Sequence, residues 1–178
     1  MIYILTGPIH SGKTTFLKKI TLELKHQRFK IDGFLSEPLW DNQKIIGYDL
    51  LDLREDKSCP FIRKAGEKEW DKIGPFYFIP ETMDIAKDII KRALNSDICV
   101  VDEVGPLELS GKGLWPVLKE ALSKSQPQYL LVVRITILEK FLSKITREDV
   151  RVFDTEEKGM PTDMFKFLIA EQEKRRHS

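Results

Sequence analysis

The sequence lacks most features that are typical of secreted proteins, membrane-spanning proteins and proteins stabilised by a metal ion. Its two cysteines, Cys59 and Cys99, stand alone and fit neither a zinc-ligand spacing nor a C-x-x-C motif. We therefore expect no structural zinc and a reducing, cytoplasmic location. The apolar runs, such as residues 129–133, are far shorter than the ~20 residues of a transmembrane helix. The apolar start of the chain has no positively charged region before it, so we expect neither a signal peptide nor a membrane partner.

The chain also lacks an excess of charge of either sign. Lys and Arg number 29 and Asp and Glu number 28 among 178 residues, which gives a formal net charge of +1. A dedicated nucleic-acid surface is therefore not expected, and nothing identifies a protein partner. The length fits a single domain over residues 1–178 whose core needs no disulfide. No heptad pattern is visible, so we expect a monomer.

Short apolar runs alternate along the chain with longer amphipathic ones, a pattern typical of α/β proteins. The expected strands are residues 1–6, 31–36, 44–53, 76–79, 98–101, 129–135 and 150–153. The expected helices are the segment after Gly12, residues 82–94 with Thr82 as N-cap, and residues 114–122, 138–145 and 161–173. The alternation predicts a mainly parallel sheet covered by helices on both faces. Residues 33–53 predict a β-hairpin extension of that sheet.

Residues 7–14 match the phosphate-binding pattern G-x-x-x-x-G-K-[ST] in full, between an expected strand and an expected helix. Gly7 and Gly12 allow backbone turns and a close approach to phosphate oxygens. The N–H groups of the loop and of the new helix then point at the anion. Lys13 brings a positive charge to the β- and γ-phosphates, and the Thr14 hydroxyl can ligate Mg²⁺. His10 lies where the backbone faces phosphate, so we expect it to cover or tune the loop.

Residues 98–103, Ile-Cys-Val-Val-Asp-Glu, describe a buried strand that ends in two carboxylates. Ligands of open α/β sheets bind at the carboxyl ends of the strands. We expect Asp102 to hold Mg²⁺ through water opposite Thr14, and Glu103 to orient or deprotonate an attacking water. Residues 102–105 also match the D-x-x-G loop of GTPase switches. The guanine-selecting N-K-x-D pattern is missing after the later strand, which disfavours a guanine-specific switch.

Arg134 ends the apolar run 129–133 at the edge where ligands are expected. It could neutralise transition-state charge within the same chain, and a surface arginine at a strand end is the alternative. The weaker candidates are Arg63, Lys64 and Arg147. Three aromatic residues around the hairpin could stack on a base, or belong to the core or to cross-strand pairs: Phe34, Trp40 and Tyr48.

The candidate site residues fall into three groups. The nucleotide-binding residues are Gly7, Pro8, Ile9, His10, Ser11, Gly12, Lys13, Thr14, Thr15, Val101, Asp102 and Glu103. The catalytic candidates are Lys13, Glu103 and Arg134, and the Mg²⁺ ligands are Thr14 and Asp102.

Three segments resemble a known family by their content and order: residues 7–15, residues 33–37 with the hairpin that ends at Gly47-Tyr48, and residues 101–109. They are similar to the small P-loop nucleoside-triphosphatases first described in thermophiles and also present in animals, including the cancer-related nucleoside-triphosphatase. The resemblance runs from residue 1 to about residue 155 and is most specific in the run D-E-[IV]-G-x-[ML]-E-L. It implies a P-loop NTPase fold and Mg²⁺-dependent hydrolysis of several nucleoside triphosphates, ATP and GTP among them.

Three functions stay open at this point. Nucleoside-triphosphate hydrolysis is favoured, because Glu103 beside Asp102 suits water activation. A small nucleoside or nucleotide kinase would also fit the size and the phosphate-binding loop, and residues 145–147 are a thin version of its arginine-rich lid. A nucleotide-dependent binding module is the third, and exposure of residues 114–116 would favour it. The fold alone cannot choose among these functions.

Overall fold

A computed structural model describes residues 1–9 and 11–176, so the role expected for His10 falls outside the described residues. The strands are β1 (Ile2–Thr6), β2 (Ile31–Asp41), β3 (Lys44–Asp52), β4 (Lys57–Arg63), β5 (Lys72–Ile73), β6 (Phe76–Phe78), β7 (Ile98–Val104), β8 (Gln128–Val133) and β9 (Val150–Asp154). The helices are α1 (Lys13–His26), α2 (Pro80–Ala93), α3 (Pro106–Leu109), α4 (Trp115–Leu122), α5 (Leu138–Leu142) and α6 (Met160–Arg176).

In the described chain, nine strands form one sheet in the order β5-β6-β4-β3-β2-β7-β8-β1-β9. Five neighbouring strands pair in parallel, namely β2, β7, β8, β1 and β9. Strands β3 to β6 pair antiparallel and extend the sheet beyond β2. Because the parallel strands run the same way, the residues that follow β1, β7, β8 and β9 meet along one edge.

Helices cover both faces of the sheet. The side chains of Ile2 and Ile4 in β1 are fully buried on one face, together with residues of α2, α4 and α5. Tyr3 and Leu5 point to the other face, where α1 and α6 pack. The alternation of side chains along a strand produces these two cores. The predicted α/β architecture and its hairpin extension are confirmed. Along the described residues, no helix is long and apolar enough to cross a membrane.

Local predictions at Thr82 and at the ends of β8 and α5 are wrong, and α5 ends at Leu142 rather than at residue 145. Thr82 does not cap a helix, because α2 already begins at Pro80, whose fixed φ suits a first helical position. The Thr82 hydroxyl instead donates to the Pro60 carbonyl oxygen at 2.6 Å, which ties α2 to β4. Strand β8 ends at Val133 rather than at residue 135, because residues 135–137 form a short 3₁₀ turn.

The sequence also did not predict strand β4. Pro60 lies in its middle, and a proline normally argues against a strand with neighbours on both sides because it has no N–H group to donate. The register between β3 and β4 shifts between Tyr48 and Asp49, and Asp49 is the residue that faces Pro60. This irregularity accommodates the missing donor.

Candidate active site

The phosphate-binding loop connects β1 to α1. Gly7 and Gly12 have φ values of +144° and +80°, which side chains other than glycine rarely adopt. A Cβ atom at Gly7 would also lie 2.0 Å from the Thr155 hydroxyl oxygen. The Ser11 N–H donates to the Pro8 carbonyl oxygen at 3.2 Å, which closes the loop. The first N–H groups of α1 have no partner within the helix and are available to an anion.

Lys13 folds its ammonium group back onto this loop. Its Nζ donates to the carbonyl oxygens of Gly7 and Pro8 at 3.1 and 2.6 Å. Burial lowers the pKa of Lys13, while the charges of Glu103 and Asp102 act to raise it. Phosphate oxygens can replace the two carbonyls as acceptors in shorter, charge-assisted hydrogen bonds.

Asp102 and Thr14 form the centre of the candidate metal site. Thr14 Oγ1 donates to Asp102 Oδ2 at 2.7 Å, and the Ser36 hydroxyl donates to the Asp102 carbonyl oxygen at 2.6 Å. Burial raises the pKa of Asp102 to about 7, and the Thr14 hydrogen bond opposes this rise.

These two side chains supply the oxygen ligands that Mg²⁺ prefers, a hydroxyl and a carboxylate, so the donor set fits the ion. Within the part of the chain that the structure describes, no group of three or more His, Cys, Asp or Glu side chains could hold a metal. Mg²⁺ would therefore depend on phosphate and water for its other ligands, as it commonly does.

Glu103 follows Asp102 in the chain, and its side chain contacts Arg134 at the carboxyl edge of the sheet. Arg134 follows the last residue of β8, and its Nε donates to Glu103 Oε1 in an ion pair. The Arg134 side chain is 37% exposed and the Glu103 side chain is 26% exposed, so a ligand can reach both. Because β7 and β8 are neighbours in the sheet, the fold brings the candidate base and the candidate arginine together.

Other predicted residues are less directly placed at the site. Val101 is fully buried in the core below Asp102, and Ile9 is 73% exposed at the tip of the loop. Arg147 lies at the opposite edge, where its Nε donates to Asp149 Oδ1 at 2.7 Å just before β9 begins. The residue therefore cannot belong to a lid over the phosphate-binding loop.

The segment suggested for a binding module, residues 114–116, is buried only at its start. Leu114 is 2% exposed, and the Trp115 ring meets Phe141 of α5 edge-on, with 6.1 Å between the ring centroids. Trp115 is half-buried and Pro116 is exposed, so the exposure that would favour the binding module is limited to the end of the segment.

One contact and one electrostatic neighbour at the site were missed from the sequence. The Thr155 hydroxyl donates to Ser11 Oγ at 2.9 Å and so braces the phosphate-binding loop. Its position directly after the last strand was the available signal, because that strand ends at the same edge. Tyr48 of β3 lies near Glu103: burial raises the pKa of its phenol, and the charge of Glu103 raises it further.

Comparison with known proteins identifies the family. A family model described as NTPase matches residues 2–160. The chain belongs to this NTPase family. It is 30% identical over 129 residues to the nucleoside-triphosphatase THEP1 of Methanocaldococcus jannaschii, covering 71% of this chain and 75% of that protein. It is 28% identical over 165 residues to the cancer-related nucleoside-triphosphatase homolog of Bos taurus, covering 84% and 85% respectively.

A solved structure supports the same fold. The crystal structure of THEP1 from the hyperthermophile Aquifex aeolicus has a TM-score of 0.77 to this chain at 20% identity, covering 94% of this chain and 99% of that one. The family resemblance and the fold class predicted from the sequence are confirmed, and the chain is an enzyme of the NTPase family.

Proposed function

We propose that this enzyme hydrolyses nucleoside triphosphates to the diphosphate and phosphate, with Mg²⁺ as cofactor and water as acceptor. One observation carries the proposal: Glu103 directly follows Asp102, the residue that binds Thr14, and its carboxylate is paired with Arg134 at the carboxyl edge of the sheet. A general base is thereby close to the place where the γ-phosphate would stand. Membership of the NTPase family and the names of the relatives support the same activity.

The residues divide the chemistry between binding and proton transfer. The loop N–H groups and the start of α1 bind the phosphates, and Lys13 exchanges its carbonyl acceptors for β- and γ-phosphate oxygens. Thr14 and Asp102 would hold Mg²⁺, which when bound would neutralise charge on the phosphates. Arg134 can pair with either of two anions, the Glu103 carboxylate or the γ-phosphate. As Arg134 moves to the phosphate, the Glu103 carboxylate is released to accept a proton from water.

Hydrolysis is favoured over phosphoryl transfer to a nucleoside. A kinase of this kind excludes water with a lid, and the arginine considered for such a lid, Arg147, is held at the other edge of the sheet. Cys59 and Cys99 are both free, and this supports a reducing compartment such as the cytoplasm.

The decisive test follows the fate of the γ-phosphate. Purified protein is incubated with Mg-ATP, with and without added nucleosides, while free phosphate and labelled acceptor are measured together. We expect phosphate release that does not depend on a nucleoside. Transfer of label to the nucleoside would support the kinase instead, and tight binding without turnover would support the binding module.

The control for this assay is Lys13→Ala. Loss of the ammonium group removes the charge that neutralises the β- and γ-phosphates, so turnover should be abolished. Hydrolysis at the wild-type rate by Lys13→Ala would show that the activity arises elsewhere or from a contaminant.

A further inference from the structure

Glu108 is a buried carboxylate that takes no part in the steps proposed for hydrolysis. It lies in α3 and is 3% exposed. One oxygen, Oε2, accepts the N–H of Gly105 at 2.8 Å, and the other, Oε1, accepts the N–H of Leu114 at 3.2 Å. Burial raises the pKa of Glu108, and these backbone hydrogen bonds oppose the rise.

These two hydrogen bonds connect separate segments of the chain. Gly105 directly follows β7, two residues after Glu103, whereas Leu114 directly precedes α4. Burying a carboxylate costs free energy unless its oxygens are hydrogen-bonded, so both bonds are needed to keep Glu108 in place. The carboxylate has little room to move, because a Cβ atom at Gly113 would lie 2.6 Å from Oε1.

The segment that Glu108 holds contains one partner of the ion pair, Glu103, and contacts the other, Arg134. Glu103 lies two residues before Gly105 in the chain. A Cβ atom at Gly105 would lie 3.7 Å from Glu108 Oε2 and 4.0 Å from Arg134 Nε. The Arg134 N–H donates to the Val104 carbonyl oxygen at 3.4 Å. Residues 103–105 therefore lie between Glu108 and Arg134.

We propose that Glu108 is a positioning residue for hydrolysis: by binding the N–H groups of Gly105 and Leu114, it fixes residues 103–105 and thereby the place of Glu103 beside the γ-phosphate. This inference rests on the proposed function, in which Glu103 is the base. Near-attack geometry is sensitive to small displacements, and a misplacement of about 1 Å can cost about 10²-fold in rate.

The test uses Glu108→Gln, which keeps the size of the side chain. A glutamine has one acceptor oxygen, and its NH₂ group would oppose one of the two N–H donors. We expect kcat to fall about 10²-fold, while KM and the dissociation constant for a nonhydrolysable nucleotide stay unchanged, because the loop and the Asp102–Thr14 pair are intact. Turnover is expressed per nucleotide-binding site, so that a smaller fraction of folded protein does not lower the measured kcat.

Asp52→Asn is the matched control. The Asp52 carboxylate also accepts two backbone N–H groups, from Arg54 at 2.9 Å and Glu55 at 3.1 Å. It is bound by Arg92 in the last turn of α2 and lies in β3, two strands away from β7 in the sheet. We expect this variant to lower the melting temperature and leave kcat unchanged.

A double variant separates positioning from general damage. If Glu108 acts through Glu103, Glu103→Gln with Glu108→Gln should be no slower than Glu103→Gln alone, whereas independent defects would multiply. Wild-type kcat in Glu108→Gln, or multiplied defects, overturns this proposal while the function stands. Wild-type kcat in Glu103→Gln overturns the base assignment and this proposal together. If Glu108→Gln does not fold, Glu108→Asp replaces it: it keeps both oxygens but is one methylene too short to reach both donors, so kcat should fall in the same non-multiplying way.

Discussion

The two neighbouring carboxylates at the end of β7 differ in burial and in partner. Asp102 is buried and hydrogen-bonded to Thr14, whereas Glu103 is partly exposed and paired with Arg134. These different partners fit the separate roles proposed for the two residues, metal binding for Asp102 and proton transfer for Glu103. Two chemically similar residues can therefore have separate roles.

The first prediction concerns Glu103→Gln. The substitution keeps size and hydrogen bonding but removes the base, so kcat should fall by about 10²–10⁴-fold. Nucleotide affinity should stay nearly unchanged, because the lost interaction belongs to the transition state. Steady-state phosphate release and a binding titration on the same preparation check both parts.

Asp102→Asn is the contrasting variant. It removes the carboxylate expected to hold Mg²⁺, so a higher Mg²⁺ concentration should be needed for half-maximal rate and turnover should fall with it. If the two variants have the same Mg²⁺ dependence, the division of roles between Asp102 and Glu103 is wrong.

At the scale of elements, a buried charge cluster attaches α2 to the strands of the hairpin extension. Arg92 in α2 binds Asp32 of β2 through Nε and Nη2 at 2.9 and 2.6 Å, and its Nη2 also binds Asp52 of β3 at 2.8 Å. Burial acts to raise the pKa of Asp52, but the hydrogen bonds from Arg92 and two backbone N–H groups outweigh it and leave the pKa below its usual value.

The second prediction follows from that lowered pKa. A carboxyl group with a lower pKa in the folded than in the unfolded protein stabilises the fold above its unfolded pKa of ~3.9, and this stability is lost as the pH falls further. Arg92→Met should therefore cost about 3 kcal/mol at neutral pH, near the lower end for a broken buried pair because Arg92 is partly exposed. The difference from wild type should shrink at about pH 3. Urea unfolding at both pH values measures it.

Lys91→Met is the control for the charge cluster. Lys91 is the preceding residue of α2 and forms an exposed ion pair with Asp88 at 2.9 Å. Exposed pairs within a helix contribute only about 0.3–0.5 kcal/mol, so this variant should be nearly as stable as wild type at both pH values. An Arg92→Met loss that is equal at neutral and acidic pH would contradict the assigned role of Asp52.

The elements that the sequence predicted well are those whose signal is local. Buried parallel strands such as β1, β7 and β8 are continuous apolar runs, and the phosphate-binding loop is one contiguous motif. Strand β4 escaped prediction because its pairing depends on a distant partner, and Pro60 argues against it locally. The contact between Arg134 and Glu103 depends on β7 and β8 being neighbours, which spacing along the chain does not encode. The same holds for Thr155, whose contact with Ser11 joins residues from the two ends of the chain.

At the scale of the whole molecule, the proposed site would recognise the triphosphate rather than the base. Lys13, Thr14, Asp102, Glu103 and Arg134 all surround the places expected for phosphates, metal and water. The side chain at the tip of the loop, Ile9, is apolar and 73% exposed. An apolar or stacking contact cannot reject an alternative base strongly, whereas a dedicated set of hydrogen bonds can.

The third prediction is therefore weak base selectivity. The guanine-selecting N-K-x-D pattern is missing from the sequence after β8, so GTP should have no large advantage over ATP. The values of kcat/KM for ATP, GTP, CTP and UTP should lie within about 1–3 kcal/mol of one another, as measured by phosphate release at subsaturating substrate. Lys13→Ala, assayed with all four substrates, should lose activity towards each, because one phosphate site serves them all. A preference for one base of more than about a thousandfold would exceed what apolar contacts can produce and would require a polar, base-reading pocket in place of the triphosphate-centred recognition argued here.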